Sequence, residues 1–257
     1  MPNSFFSWVL FLLDKYGALF LKGAGVTLLI AIVGTVLGFI IGLGVAIVRT
    51  LQLPPQANRP RRFFLGVSKW LLSAYIEIFR GTPMIVQAMV VYYGALEYLG
   101  LDIPALGAAF LVVSVNTGAY MAEILRGGIL SVDKGQKEAA TAIGMTHWQM
   151  MTLVILPQAV KNTLPSVGNE FVVNIKDSSV LNVISVTELY FMSKSAAGTY
   201  WKYFEVFFIT SVIYFVLTFT ITRLLRLLEK KLSGSDSYTI YGSQSHSKAE
   251  IKIQQPH

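Results

Sequence analysis

Cysteine is absent from the 257 residues, which excludes a disulfide framework, a thiolate metal site and a cysteine nucleophile. Histidine is almost as scarce. His147, His246 and His257 are the only three, too few and too scattered to form a His cluster around a metal. Charge is scarce as well: charged residues make up 14% of the chain and hydrophobic ones 54%, against about 25% charged in soluble domains. That balance excludes an ordinary soluble fold and implies an all-α membrane protein with several spans. The net charge of +7 does not form a continuous basic domain. The basic residues cluster beside apolar segments, so they imply membrane orientation and no nucleic-acid partner.

What is present is a set of apolar runs separated by basic loops. The run from Phe5 to Leu13 lacks the basic flank and cleavage site of a signal peptide and is too short to span. Residues 1–20 are expected to be an interfacial segment anchored by Phe5, Phe6 and Trp8. Residues 21–230 form the membrane domain, and 231–257 are a polar, serine-rich tail of disordered composition.

The first span covers about Val26 to Val48. The loop after it carries Arg49, Arg59, Arg61, Arg62 and Lys69 around a Pro54-Pro55 break, a second carries Arg126, Lys134 and Lys137, and a third carries Arg223, Arg226, Lys230 and Lys231. The positive-inside rule makes all three cytoplasmic, with the N-terminus outside. An even number of crossings must separate such loops. Residues 63–99 are therefore read as one crossing interrupted at Arg80-Gly81-Thr82-Pro83, followed by spans at about 105–125, 151–175 and 203–226, five in total. Thr82 is expected to cap the second half of the broken helix, with Pro83 at its first position.

Polar residues inside these spans are costly unless they are paired or face water. Asn116, Tyr120 and Glu123 recur at four-then-three spacing on the third span, and Glu170, Asn174 and Asp177 do so on the fourth. The two stripes are candidates to line one cavity. Thr82 and Gln87 join them because broken-helix termini at membrane depth can receive ligand groups. For each residue, mutual pairing is as good an account as substrate contact. Gly34, Gly38 and Gly42 share one face of the first span and read as a helix-packing stripe.

The loop at about 131–157 is different in character. Asp133 to Ile143 reads as a short helix with Asp133 or Ser131 as N-cap, exposed Lys134, Lys137 and Glu138, and a slim face of Ala139, Ala140 and Ala142. Gly144 follows as a reversal residue.

The run Glu138-Ala139-Ala140, three residues, Gly144, nine residues, Val154, then Leu156-Pro157 resembles the Glu-Ala-Ala docking loop of bacterial ABC importer membrane subunits. Val154 stands where that motif usually has Ile. Gly25-Val26-Thr27-Leu28, Arg80-Gly81-Thr82-Pro83 with Gln87, Gly118-Ala119-Tyr120 with Glu123 and Arg126-Gly127-Gly128, and Lys176-Asp177-Ser178-Ser179 look like polar amino acid ABC transporter permeases over roughly residues 20–230. The resemblance implies a type I importer permease with a five-span core and a cytoplasmic coupling helix, working by alternating access in the bacterial cell membrane. It implies a second permease subunit, identical or similar, and an extracytoplasmic binding protein that delivers an amino acid. It also implies two cytosolic ATPase subunits that hold ATP and Mg, docked at Lys134, Lys137, Glu138, Ala139, Ala140 and Gly144. The chain itself has no Gly-rich Lys-Ser or Lys-Thr phosphate loop, hence no cofactor and no catalytic residue of its own. An ion-coupled transporter or channel is the alternative from another class, with the intramembrane carboxylates as carriers. It leaves the docking loop unexplained.

Overall fold

The computed structural model describes residues 2–51, 53 and 58–233; the Pro54-Pro55 break and the tail beyond residue 233 lie outside the described residues. Every regular element among the described residues is helical. In chain order these are α1 (Phe5–Thr50), α2 (Arg59–Gly81), α3 (Met84–Leu99), α4 (Ala105–Ser131), α5 (Lys134–Ala142) and α6 (His147–Met150). A π-turn (Met151–Ile155), α7 (Leu156–Asp177), a 3₁₀ turn (Ser178–Ile184), α8 (Leu189–Tyr200) and α9 (Tyr203–Ser233) follow.

α1 starts at a capping box in which the Ser4 and Ser7 side chains each bind the other's backbone N–H, so two orphan donors are satisfied at once. It then runs through residue 20 without a break, and the segment read as interfacial and the first span are one helix. At ~1.5 Å per residue it is about 69 Å long, more than twice the ~30 Å of a hydrocarbon core. Its early part does not lie alone on a surface. Trp8, Leu12 and Phe20 are buried against Leu189, Ala196 and Ala197 of α8 and Val206 and Ile209 of α9. The stretch 178–200 owes its place to this contact and to Glu188. That fully buried carboxylate caps α8, accepting from the Tyr190 and Phe191 N–H groups at 2.8 and 2.7 Å and from the Tyr214 hydroxyl at 3.1 Å.

The glycine stripe brings α1 onto α4. A Cβ on Gly38 would sit 2.8 Å from Thr117 Cβ, and one on Gly42 2.8 Å from the Ala122 backbone nitrogen, so only glycine permits this approach. Gly34 meets Val113 in the same way. The four-residue rows on both helices thus interlock, and a core of Ala46, Met121, Leu125, Ile129, Ile155 and Ala159 continues the contact towards α7.

The helix break falls at Thr82–Pro83, between α2 and α3. Its capping differs from the expected arrangement. Pro83 occupies the N-cap position, without a side-chain bond, and Thr82 turns back to donate to the Ile78 carbonyl at 2.7 Å. Thr82 therefore closes the end of α2 rather than opening α3.

Three helices among the described residues are long and apolar enough to cross a membrane: α1, α4 and the part of α9 from Tyr203 to Lys231. α2 and α7 are more polar, and α3 is shorter. α7 includes Lys161, Asn162, Asn169, Glu170, Asn174, Lys176 and Asp177, so it is covered by lipid on all sides only at high cost. Pro157 stands in its first turn; lacking an N–H to donate, it follows naturally on the looser π-turn.

Candidate functional site

Thr82, Gln87 and Asn116 come together at the helix break. The Gln87 side-chain amide is buried and donates to the Phe79 carbonyl at 3.0 Å, the Thr82 carbonyl at 3.0 Å and the Thr82 hydroxyl at 2.9 Å. Asn116 Nδ2 donates to the same Phe79 carbonyl at 3.1 Å and to Gln87 Oε1 at 2.9 Å. The last carbonyls of α2 have no helical partner of their own. Two amides from α3 and α4 supply one, which fixes the angle of the break against α4. Tyr75 adds a second tie, donating to the Val115 carbonyl at 2.6 Å.

The rest of the α4 stripe divides between two neighbourhoods. The Tyr120 ring lies under the Arg80 guanidinium, 5.2 Å from its centroid. Glu123 is bound between Arg49 of α1 and Arg126, with Arg126 Nη2 at 2.8 Å. Its charge is neutralised within the chain, and the pair with Arg49 joins α1 to α4.

The α7 stripe also divides. Asn174, 4% exposed, accepts from the Thr117 hydroxyl at 3.0 Å and donates to the Thr35 hydroxyl at 2.9 Å. It is a clasp joining α1, α4 and α7, with its amide directed into the helix core. Glu170 is buried in the opposite sense. Its charged neighbours are Arg80 and Asp177, and neither closes an ion pair with it. Asp177 itself is exposed at the end of α7, beside Lys176. Arg80, Tyr120, Glu170 and Asp177 thus form one polar neighbourhood with both charge signs. Arg80 was legible in the sequence only as part of the helix interruption; its partner ring and carboxylate come from helices distant along the chain. Thr35, Arg49 and Tyr214 carried no sequence signal of their structural work, since each needs a partner more than 25 residues away.

The loop between α4 and α7 is built as a projecting helix. The Asp133 carboxylate accepts from Gly135 N at 2.7 Å and starts α5. At the other end the Met145 N–H bonds the Ala140 carbonyl at 3.1 Å and the Gly144 N–H bonds the Thr141 carbonyl at 3.0 Å. With Gly144 at φ +80° this is the paired bonding of a Schellman motif, which needs a left-handed residue at that position. Ala140 is turned inward and buried as α5 packs against the π-turn. Of the expected slim face, only Ala139 and Ala142 are free. Glu138 and Lys134 are exposed beside them as expected, whereas Lys137 is half-buried; Ile143 is 74% and Trp148 69% exposed. Large apolar side chains held outward on a short capped helix make a ready protein contact.

Residues 57–234 match the family of binding-protein-dependent transport system inner membrane components. The chain belongs to that family. This inner membrane component is 35% identical to the arginine transport system permease protein ArtQ of Bacillus subtilis, over 84% of this chain and 93% of that one. It is 34% identical to the glutamine transport system permease protein GlnP of Escherichia coli, over 83% and 93%. Among solved structures, an amino acid ABC transporter crystallised with histidines matches at 38% identity and TM-score 0.76, over 90% of this chain and all of the other. The MetNI methionine transporter, captured facing inward, matches at 22% identity and TM-score 0.71 and supports the fold. The inner membrane component is thus a permease subunit of the ABC importer type, and its projecting loop carries the Glu-Ala-Ala signature characteristic of that family.

Proposed function

We propose that this chain lines the pathway of an ATP-driven importer for polar amino acids, crossing the membrane five times and pairing with a second permease subunit, identical or similar. Two cytosolic ATPases bind ATP and Mg and dock at α5, and an extracytoplasmic binding protein delivers the substrate. The single observation that carries this reading is the loop built on α5, a capped helix outside the apolar spans: α5 presents Glu138 and Ala139 outward, with Ile143 just after it and Trp148 on α6 exposed beside them. Closure of the ATPases moves α5, and with it α4 and α7 on either side, between inward-open and outward-open states.

The substrate path belongs to the neighbourhood of opposite charges. Any amino acid carries a carboxylate and an ammonium; Arg80 over Tyr120 has the Glu170 carboxylate as a charged neighbour, and Asp177 acts on Glu170 from the end of the same helix. Gln87, Asn116 and Thr82 hold the broken helix that presents Arg80, while Asn174 and Glu123 hold the helices around it.

The experiment is ATP-driven uptake in proteoliposomes with the partner subunits. Glu138→Lys is expected to abolish ATPase association and transport while insertion is kept; survival of both sinks the docking assignment. Glu170→Gln and Asp177→Asn keep shape and remove charge. They are expected to reduce substrate-stimulated transport with assembly and basal ATP hydrolysis retained. Unchanged substrate kinetics in both variants would remove these carboxylates from the pathway, and uptake that collapses with the ion gradient would replace the ATP-driven reading altogether.

A further inference from the structure

A groove between α7 and α9 belongs to none of the features above. Val172, Phe215 and Phe219 give it apolar walls, Arg223 and Arg226 line it towards the end of α9, and Lys176 lines it from the far end of α7. The free space is about 240 Å³, equal to some eight waters at ~30 Å³ each. None of the three cations makes an ion pair among the described residues. Arg223 rests over the Phe219 ring at 4.9 Å, and the charge of Asp177 acts on Lys176 from the neighbouring position. The hydroxyls of Thr218 and Thr222 also line the groove but are spent on the Tyr214 and Thr218 carbonyls. What the groove offers an occupant is therefore two guanidinium groups towards the end of α9 and aromatic surface deeper along it.

We infer that this groove seats the phosphate headgroup of an anionic phospholipid, with the start of an acyl chain against Phe215 and Phe219. Depth supports the assignment. Arg223 lies twenty residues after Tyr203 on α9, ~30 Å along the axis, which matches the ~30 Å of hydrocarbon and sets its guanidinium at the edge of the bilayer core. Phe215 lies two turns deeper. Exposure supports it too: α9 is the least covered of the three long apolar helices, with 17% of its window buried, and Phe215 is 65% exposed. The groove opens away from the helix core. Arg223 and Arg226, about one turn apart at this depth, give a phosphate charge complementarity that a zwitterionic headgroup shares less well, because its own ammonium is repelled. The inference rests on the reading of α9 as a crossing whose basic end is cytoplasmic, which sets the occupant in the cytoplasmic leaflet.

The test uses the assembled transporter in detergent, exposed to phosphatidylglycerol or phosphatidylcholine and analysed by native mass spectrometry. Phosphatidylglycerol is expected to be retained over phosphatidylcholine. Loss of one basic contact near a membrane surface corresponds to about fivefold, so Arg223→Gln with Arg226→Gln should weaken retention roughly 25-fold. Lys230→Gln with Lys231→Gln removes the same charge from the end of α9 outside the groove and should leave retention nearly intact. Inorganic phosphate at millimolar concentration should not displace the lipid. Equal retention of both lipids, an equal loss in the control pair, or displacement by phosphate would each overturn the proposal. So would failure of the groove variant to assemble, or cross-linking of a cysteine at position 219 to the second permease, since either makes the groove a subunit interface. None of these readouts depends on transport, so the result separates cleanly from the importer reading.

Discussion

Gly144 gives the sharpest test of how the docking loop is held. Its φ of +80° is left-handed, and a side chain there costs about 1–2 kcal/mol in an L-residue, more when the side chain is β-branched. A Cβ at this position would meet nothing within 4 Å, so the cost is one of backbone alone. If ATPase docking requires the turn that the Met145 and Gly144 N–H groups close onto Ala140 and Thr141, that cost lowers the population of the competent loop. The matching loss in docking affinity is about 5- to 30-fold. Gly144→Val should sit at the upper end and Gly144→Ala at the lower. Gly144→Asn should stay within about threefold, because asparagine tolerates the left-handed region. The assay is titration of the purified permease with its partner ATPase, read by surface binding. Valine binding as well as glycine would show that the turn is dispensable. Asparagine failing as badly as valine would show that the partner touches position 144 itself, and the backbone argument would fall.

Asn174→Ala removes two interhelical hydrogen bonds worth ~0.6 kcal/mol each on average and up to ~1.7. The expected loss is about 1–3 kcal/mol in unfolding of the purified complex, against under ~0.5 for exposed Asn169→Ala; equal effects would refute the clasp. Glu123 and Arg49 should couple in a double-mutant cycle of Glu123→Gln and Arg49→Gln by about 1 kcal/mol, shrinking with salt because both side chains are partly exposed; additive losses would refute the pair. A cysteine at Asp102 should react with an impermeant thiol reagent on intact right-side-out cells, and one at Asp133 should not, a clean comparison because the chain has no cysteine of its own. The reverse pattern overturns the proposed orientation.

The elements that could be read from the sequence are those whose signal is local. The docking helix needs Asp133 before it and Gly144 after it, both within a dozen residues, and the structure starts and ends α5 there. The helix break is equally local, since Gly81-Thr82-Pro83 interrupts any helix. The glycine stripe required only a period of four. The candidate site was less legible because a polar residue in an apolar helix announces a need for a partner without naming it. Asn174 and Glu170 lie on one face by spacing, yet Asn174 meets Thr35 and Thr117 while Glu170 has Arg80 and Asp177 about it. The difference depends on which neighbours α7 touches on each flank, a property of packing that periodicity does not hold. The continuity of α1 was missed for a similar reason. Its first turns are stabilised by α8 and α9, which lie far along the chain.

These ties also divide the subunit mechanically. α1, α4 and α7 are joined by interlocked glycine rows, by the Asn174 clasp and by the Arg49 to Glu123 pair, so they shift as one body because every contact is short and most are buried. α2 and α3 attach to that body through Tyr75 on Val115, through Gln87 and Asn116 at the break, and through apolar clusters that hold Ile76 with Val45, Ala119 and Ala122 and Ala88 with Ile30, Ala109 and Val112. Under the proposed docking, motion enters through α5, between the ends of α4 and α7 and thus on the rigid body. The contact of α2 and α3 with α4 is the seam at which this body meets the broken helix. Arg80 and Thr82 lie at that seam, with Tyr120 and Glu170 across it. Arg80 on the broken helix and Glu170 on the rigid body carry opposite charges across that seam, so under the proposed alternating access a relative movement of the two changes what they offer a passing amino acid.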